Sequence, residues 1–140
     1  MLCKDLMKTR VECVKPTDSV VTAARRMRDE NIGFLPVCDE ARRAMGTLTD
    51  RDLCIRVLAE NRPLTTMVRE AMSTEVISCR PNDDIQRAHE RMSQHHKSRM
   101  LVVDDQGRVQ GVISLSDLAG VGDGIATQTM REVSSREARL

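Results

Sequence analysis

The chain has 140 residues, 40% hydrophobic and 31% charged, with a formal net charge of +1. This is the balance of a soluble globular protein, and it excludes a global field that would draw in nucleic acid or anionic membrane. Phe34 is the only aromatic residue, so stacking of bases on rings is closed as a binding mode.

The opening Met1-Leu2-Cys3-Lys4-Asp5-Leu6 lacks the apolar stretch of a signal peptide, and no apolar run is long enough to span a bilayer. A cytoplasmic protein with no membrane contact is expected. Cys3, Cys13, Cys38, Cys54 and Cys79 form no Cys-x-x-Cys pair. In a reducing compartment most should be buried as small hydrophobes, with Cys3 and Cys13 the most available for pairing between chains. Nine methionines should fill irregular gaps in the core.

A short helix is expected over Lys4 to Met7, then a β-branched stretch from Val11 to Val14. Pro16 and the capping pair Thr17-Asp18 precede Val20, Ala23 and Met27 at helical spacing. Strands Leu35–Cys38 and Met45–Leu48 follow, joined by a polar turn in which Arg42-Arg43 is solvated. A helix then starts at Thr49, with Leu53, Cys54, Val57 and Leu58 on one apolar face. Asn61 to Thr65 reads as a linker, and Thr66 to Met72 as a short connecting helix. The order then recurs: a stretch from Val76 to Cys79, Pro81, the capping pair Asn82-Asp83, and a helix carrying Ile85, Ala88 and Met92. Strands Met100–Val103 and Val109–Ser114 flank Asp105-Gln106-Gly107, and a helix starts at Ser114. Gly120 to Gly124 reads as a flexible exit rather than a phosphate loop, since it has no lysine.

The recurrence has a single register. Met7 matches Met72, an offset of 72 − 7 = 65, and the same offset links Pro16 to Pro81, Asp18 to Asp83, Met27 to Met92, Gly46 to Gly111 and Asp52 to Asp117 without a gap. The expected fold is mixed α+β: two tandem β-α-β-β-α repeats packed by their sheets around a pseudo-two-fold axis, because one such unit is too small to bury a sound core alone. The expected boundaries are 1–62 for the first repeat, 63–123 for the second, and 124–140 for a partly helical tail. His89 and His96 lie two helical turns apart, a rise of about 10 Å, too far for one metal ion, so no metal site is expected.

Ile32-Gly33-Phe34-Leu35-Pro36-Val37 resembles the hydrophobic-Pro-Val strand of the CBS-domain family. Gly46-Thr47-Leu48-Thr49-Asp50-Arg51-Asp52-Leu53 and Gly111-Val112-Ile113-Ser114-Leu115-Ser116-Asp117-Leu118 resemble that family's Gly-x-hydrophobic-Thr/Ser-x-x-Asp-hydrophobic signature. The resemblance runs from Met1 to Leu118 and is similar to stand-alone bacterial CBS pairs. It implies a regulatory module rather than an enzyme. Such a module binds an adenosine-containing ligand (AMP, ADP, ATP or S-adenosylmethionine) in clefts between the repeats, needs no cofactor, forms a homodimer and acts on an unidentified regulated protein. The implied ribose- and phosphate-binding residues are Thr49 and Asp52 in one site, and Ser114 and Asp117 in the other.

Arg51 and Arg99 are the candidate phosphate partners, one per repeat. Val11, Pro36, Val76 and Leu101 are candidates to line the adenine. Leu101 departs from the family, in which Pro is usual. Two bland readings stand beside these. Thr/Ser-x-x-Asp is also a capping box, which starts a helix without binding anything, and the aliphatic residues also suit a plain core. The alternative function is an interaction module whose clefts stay empty.

Overall fold

The structure, a computed structural model, describes residues 1–121; the tail expected over 124–140 lies outside them. Short helix α1 spans Cys3–Leu6, and α2 spans Val20–Glu30. Ser19 caps α2 by accepting from Thr22 N–H, and Val20, Ala23 and Met27 form its buried stripe. Strands β1 (Phe34–Cys38) and β2 (Ala44–Thr49) pair antiparallel. Helix α3 (Asp50–Leu53) follows without a break.

In the second half, β3 (Ser78–Cys79) leads to α4 (Ile85–His95), capped by Asp84, and to the hairpin β4 (Arg99–Val103) and β5 (Val109–Ser114). Here β3 joins β4 in parallel, giving three strands in the order β3-β4-β5. Helix α5 spans Leu115–Ala119. The fold is therefore mixed α/β and duplicated. The stretch expected as a strand at Val11–Val14 is reduced to a single bridge from Val14 to Val37.

The described chain forms two compact units, and they do not follow the order of the repeats. One is Val11–Val76; the other joins Met1–Arg10 to the chain from Ile77 onward. The hydrogen bonds show why. Cys3 N–H donates to Asp83 O at 2.8 Å and Lys4 N–H to Pro81 O at 2.9 Å. In the other unit Val68 N–H donates to Asp18 O at 2.8 Å and Arg69 N–H to Pro16 O at 2.9 Å. These are the same contacts displaced by 65 positions. Each repeat's leading segment thus caps the helix entrance of the other repeat.

Gly46 and Gly111 make room for this exchange. Lys8 pairs with Val112, and Ser73 with Thr47, so a foreign backbone crosses each β-strand at its glycine. A Cβ on Gly46 would lie 2.6 Å from Ser73 O, and one on Gly111 would lie 2.8 Å from Lys8 O.

Each unit has its own core. Leu35, Val37, Leu48 and Val68 are fully buried in one; Met92, Val102 and Ile113 are fully buried in the other. The helix expected after Thr49 departs from its apolar pattern. After Leu53 the chain widens into a π-helical turn, Cys54–Leu58, in which Ala59 N–H reaches Cys54 O at 2.9 Å. The wider turn rotates the face. Val57 is buried, while Cys54 is exposed and Leu58 is 64% exposed.

Candidate functional site

Each unit builds the same junction where its last strand becomes a helix. Thr49 ends β2 and caps α3: Asp52 N–H donates to Thr49 Oγ1 at 3.0 Å, and Thr49 N–H donates to Asp52 Oδ2 at 2.9 Å. Ser114 does the same for α5: Asp117 N–H donates to Ser114 Oγ at 3.1 Å, and Ser114 N–H donates to Asp117 Oδ2 at 2.8 Å. The capping reading of Thr/Ser-x-x-Asp is therefore realised in both units. Among the described residues, the cap uses one oxygen of each carboxylate, Oδ2. The other, Oδ1, faces a cation beyond hydrogen-bond distance: Arg56 Nε at 3.9 Å from Asp52, and Lys8 Nζ at 3.7 Å from Asp117. The cap fixes the carboxylate while leaving Oδ1 able to accept a hydroxyl proton.

A family model for the CBS domain matches residues 3–59 and again 68–123. The chain belongs to the CBS-domain family. Among its relatives is the CBS domain-containing protein YhcV of Bacillus subtilis (strain 168), 40% identical over 116 residues, covering 83% of this chain and 81% of YhcV. Among solved structures it resembles the CBS-domain pair of protein MJ0100 in complex with 5′-methylthioadenosine and S-adenosyl-L-methionine, with a TM-score of 0.78, 27% identity, and coverage of 86% of this chain and 94% of that one. It also resembles Hypoxic Response Protein I with two coordinated zinc ions, with a TM-score of 0.79, 30% identity, and coverage of 88% and 100%.

The other expected site residues of this CBS pair fall in different places. Arg99 is exposed and lies directly across the β4–β5 ladder from Ser114, so the strand register places it at the second junction. In the first unit the position opposite Thr49 is Phe34, which is half-buried. Arg51 is exposed on the first turn of α3, beside Asp52. Val11 and Val76 are half-buried; Pro36 and Leu101 are buried in the hairpins, as the core reading has it. Among the described residues, no three His, Cys, Asp or Glu side chains converge as metal ligands would. No helix there is long and apolar enough to cross a membrane.

Sequence reasoning missed Arg56 and Lys8. Arg56 Nη1 also donates to Met72 O at 2.9 Å and to Ala71 O at 3.3 Å, so it ties the exchanged segment to the first junction. The i,i+4 spacing of Asp52 and Arg56 was the available signal. Lys8 had none, because it reaches Asp117 only through the segment exchange. The thiol expectation is also corrected for Cys3: it is fully buried, with its Sγ 3.4 Å from that of Cys79, because the opening segment packs on the second repeat.

Proposed function

We propose that this CBS pair is a regulatory module that binds an adenosine-containing small molecule at its strand-to-helix junctions, without catalysing a reaction. The observation that carries the reading is the doubled cap. In both units an aspartate is fixed by its N-cap and keeps one oxygen for a ligand hydroxyl. A ribose diol donates two hydroxyls to such an acceptor, and charge-assisted bonds of this kind are worth roughly 1.5–3 kcal/mol each. Thr49 Oγ1 and Ser114 Oγ accept from the backbone, which leaves each hydroxyl its own proton to donate to a ligand oxygen; Ser114 Oγ also lies 2.8 Å from Ser116 Oγ. Arg51 and Arg99 supply positive charge for phosphate, Arg99 from across the ladder. That the MJ0100 pair takes two adenosine derivatives supports the ligand class. We take the working state to be a cytoplasmic homodimer that signals to a partner protein.

The test is a thermal-stability series of the full chain with AMP, ADP, ATP and S-adenosylmethionine. A ligand at 100 times its Kd adds about 2.7 kcal/mol, which raises Tm by several degrees. A Tm that none of these compounds moves would overturn the reading in favour of an interaction module with empty junctions.

A further inference from the structure

Two cysteines that no nucleotide role uses come together in the first unit. Val14 bridges Val37: Val14 N–H donates to Pro36 O at 3.0 Å, and Cys38 N–H donates to Val14 O at 2.9 Å. This pairing places Cys13 and Cys38 on either side of the bridge, on neighbouring stretches of one unit. Both line an open cleft of about 470 Å³, together with two cations, Lys15 and Arg42, and two carboxylates, Asp39 and Glu40. Cys13 is half-buried and its carbonyl is held by Arg26 Nη1 at 2.8 Å.

Arg42 sits in the left-handed region at φ 67°, and its Nη2 donates to Val11 O at 3.0 Å. The equivalent position in the second unit is Gly107, at φ 80°. A non-glycine residue kept in a conformation that glycine adopts without cost is a marker of use. The second unit has Ser78 and Val103 where the first has Cys13 and Cys38. Its own thiols, Cys3 and Cys79, are sealed in the core at 0% and 3% exposure.

We propose that Cys13 and Cys38 form a reversible redox couple, in which Cys13 is the nucleophile toward a hydroperoxide and Cys38 resolves it. The Cys13 thiolate attacks the peroxide's terminal oxygen. The O–O bond breaks, an S–O bond forms, and the departing alkoxide or hydroxide takes a proton from water. The Cys38 thiol then attacks the sulfenic sulfur, a disulfide forms, and water leaves with the thiol proton. The two sulfurs together give up two electrons, which reduce the peroxide; a dithiol reductant reverses the change.

The electrostatics agree with this division. The neighbouring Cys38 thiol brings the Cys13 thiol down to about 7, and Arg42 and Arg26 act in the same direction, against burial and Glu12. Beside the Cys13 thiol, and buried, Cys38 is pushed well above the usual thiol range. A thiolate at one sulfur beside a protonated thiol at the other is what attack followed by resolution requires.

The experiment uses the reduced full-length protein and does not depend on any nucleotide. One equivalent of hydrogen peroxide is added, then iodoacetamide under denaturing conditions, and unreduced peptides are mapped by mass spectrometry. The expected product links the Cys13 and Cys38 peptides, is cleaved by dithiothreitol, and leaves Cys3, Cys54 and Cys79 alkylated. In Cys38→Ser, Cys13 stops at the sulfenic acid and is trapped by dimedone. Native alkylation of Cys13 rises about fivefold from pH 6 to pH 7 and less than twofold from pH 7 to pH 8. The proposal is overturned if Cys13 and Cys38 both remain alkylated after peroxide, if Cys54 oxidises first, or if the alkylation rate climbs tenfold per pH unit through pH 8. The wild-type peptide map and the wild-type alkylation rates decide these outcomes, whatever the variants do.

Discussion

The two units share their backbone bonding almost position for position and differ in the side chains around it. Cys3 to Asp83 and Val68 to Asp18 are the same bond at 2.8 Å, and the Thr49 and Ser114 caps agree within about 0.1 Å. Around this frame, Arg56 stands over one aspartate and Lys8 over the other. Phe34 faces Thr49 where Arg99 faces Ser114. A cleft-lining pair of thiols in one unit is replaced by Ser78 and Val103 in the other. The comparison teaches that the duplication preserves what holds the exchanged segments and has diversified what faces solvent. The frame is held by backbone hydrogen bonds and two glycines, neither of which restricts the neighbouring side chains.

The sharpest way to break that comparison is at the glycines. Gly46→Ala and Gly111→Ala each drive a Cβ into a backbone oxygen at 2.6 and 2.8 Å. Backbone cannot retreat as a flexible side chain can, so each variant should lose about 2–3 kcal/mol. The loss is read as a lower urea midpoint with an unchanged slope. Gly107→Ala is the control: its Cβ meets nothing within 4 Å, so only the φ of 80° resists it, at about 1 kcal/mol. Equal losses at Gly46 and Gly107 would mean that the crossing segment yields and that the exchange does not require glycine.

Next in size are the aspartates. Asp52→Ala and Asp117→Ala remove a cap and a ligand acceptor together. Each should cost about 1 kcal/mol of stability and weaken an adenosine ligand at its own junction by about tenfold or more. Asp52→Asn and Asp117→Asn keep an acceptor for the N-cap amide and give up the charge. They should therefore keep most of the stability and still lose most of the affinity, as read by calorimetric titration. Because Arg99 is present at one junction only, Arg99→Ala should weaken phosphate-bearing ligands more than S-adenosylmethionine, and only at the second junction.

Much of this frame was legible in the sequence, for local reasons. The helices that begin at Val20 and Ile85 were legible from their apolar spacing, whereas their caps are Ser19 and Asp84 rather than the expected Thr17-Asp18 and Asn82-Asp83. The hairpins follow from short apolar runs on either side of polar turns. The signature residues Thr49, Asp52, Ser114 and Asp117 were legible because the repeat printed them twice. What stayed hidden is long-range. No local pattern tells Cys3 to bond near Asp83 rather than near Asp18, since both repeats offer the same entrance. Cys13 and Cys38 are 38 − 13 = 25 residues apart and reach one cleft through the Val14–Val37 bridge. The π-helical turn defeated the apolar face expected over Leu53 to Leu58, because that expectation assumes 3.6 residues per turn.

The smallest effect sharpens the comparison most. Arg56 and Lys8 occupy matching roles by charge, yet they are held differently. Arg56 is half-exposed and is anchored by hydrogen bonds to the carbonyls of Met72 and Ala71 as well as by its ion pair. The Lys8 side chain is 72% exposed and, among the described residues, is held by the ion pair to Asp117 at 3.7 Å alone. Its side chain loses conformational freedom to hold that geometry, and solvent screens the attraction. Arg56→Ala should therefore cost about 1–2 kcal/mol, since it leaves two carbonyls without their donor. Lys8→Ala should cost a few tenths of a kcal/mol at most. The Lys8 effect should vanish in 1 M salt, where the screening length falls to about 3 Å, while most of the Arg56 effect should persist. Urea melts of both variants at low and high salt measure the difference. A salt-sensitive loss of equal size at both positions would mean that the cations act on their aspartates as charges alone, and that the anchoring of Arg56 to the exchanged segment contributes nothing.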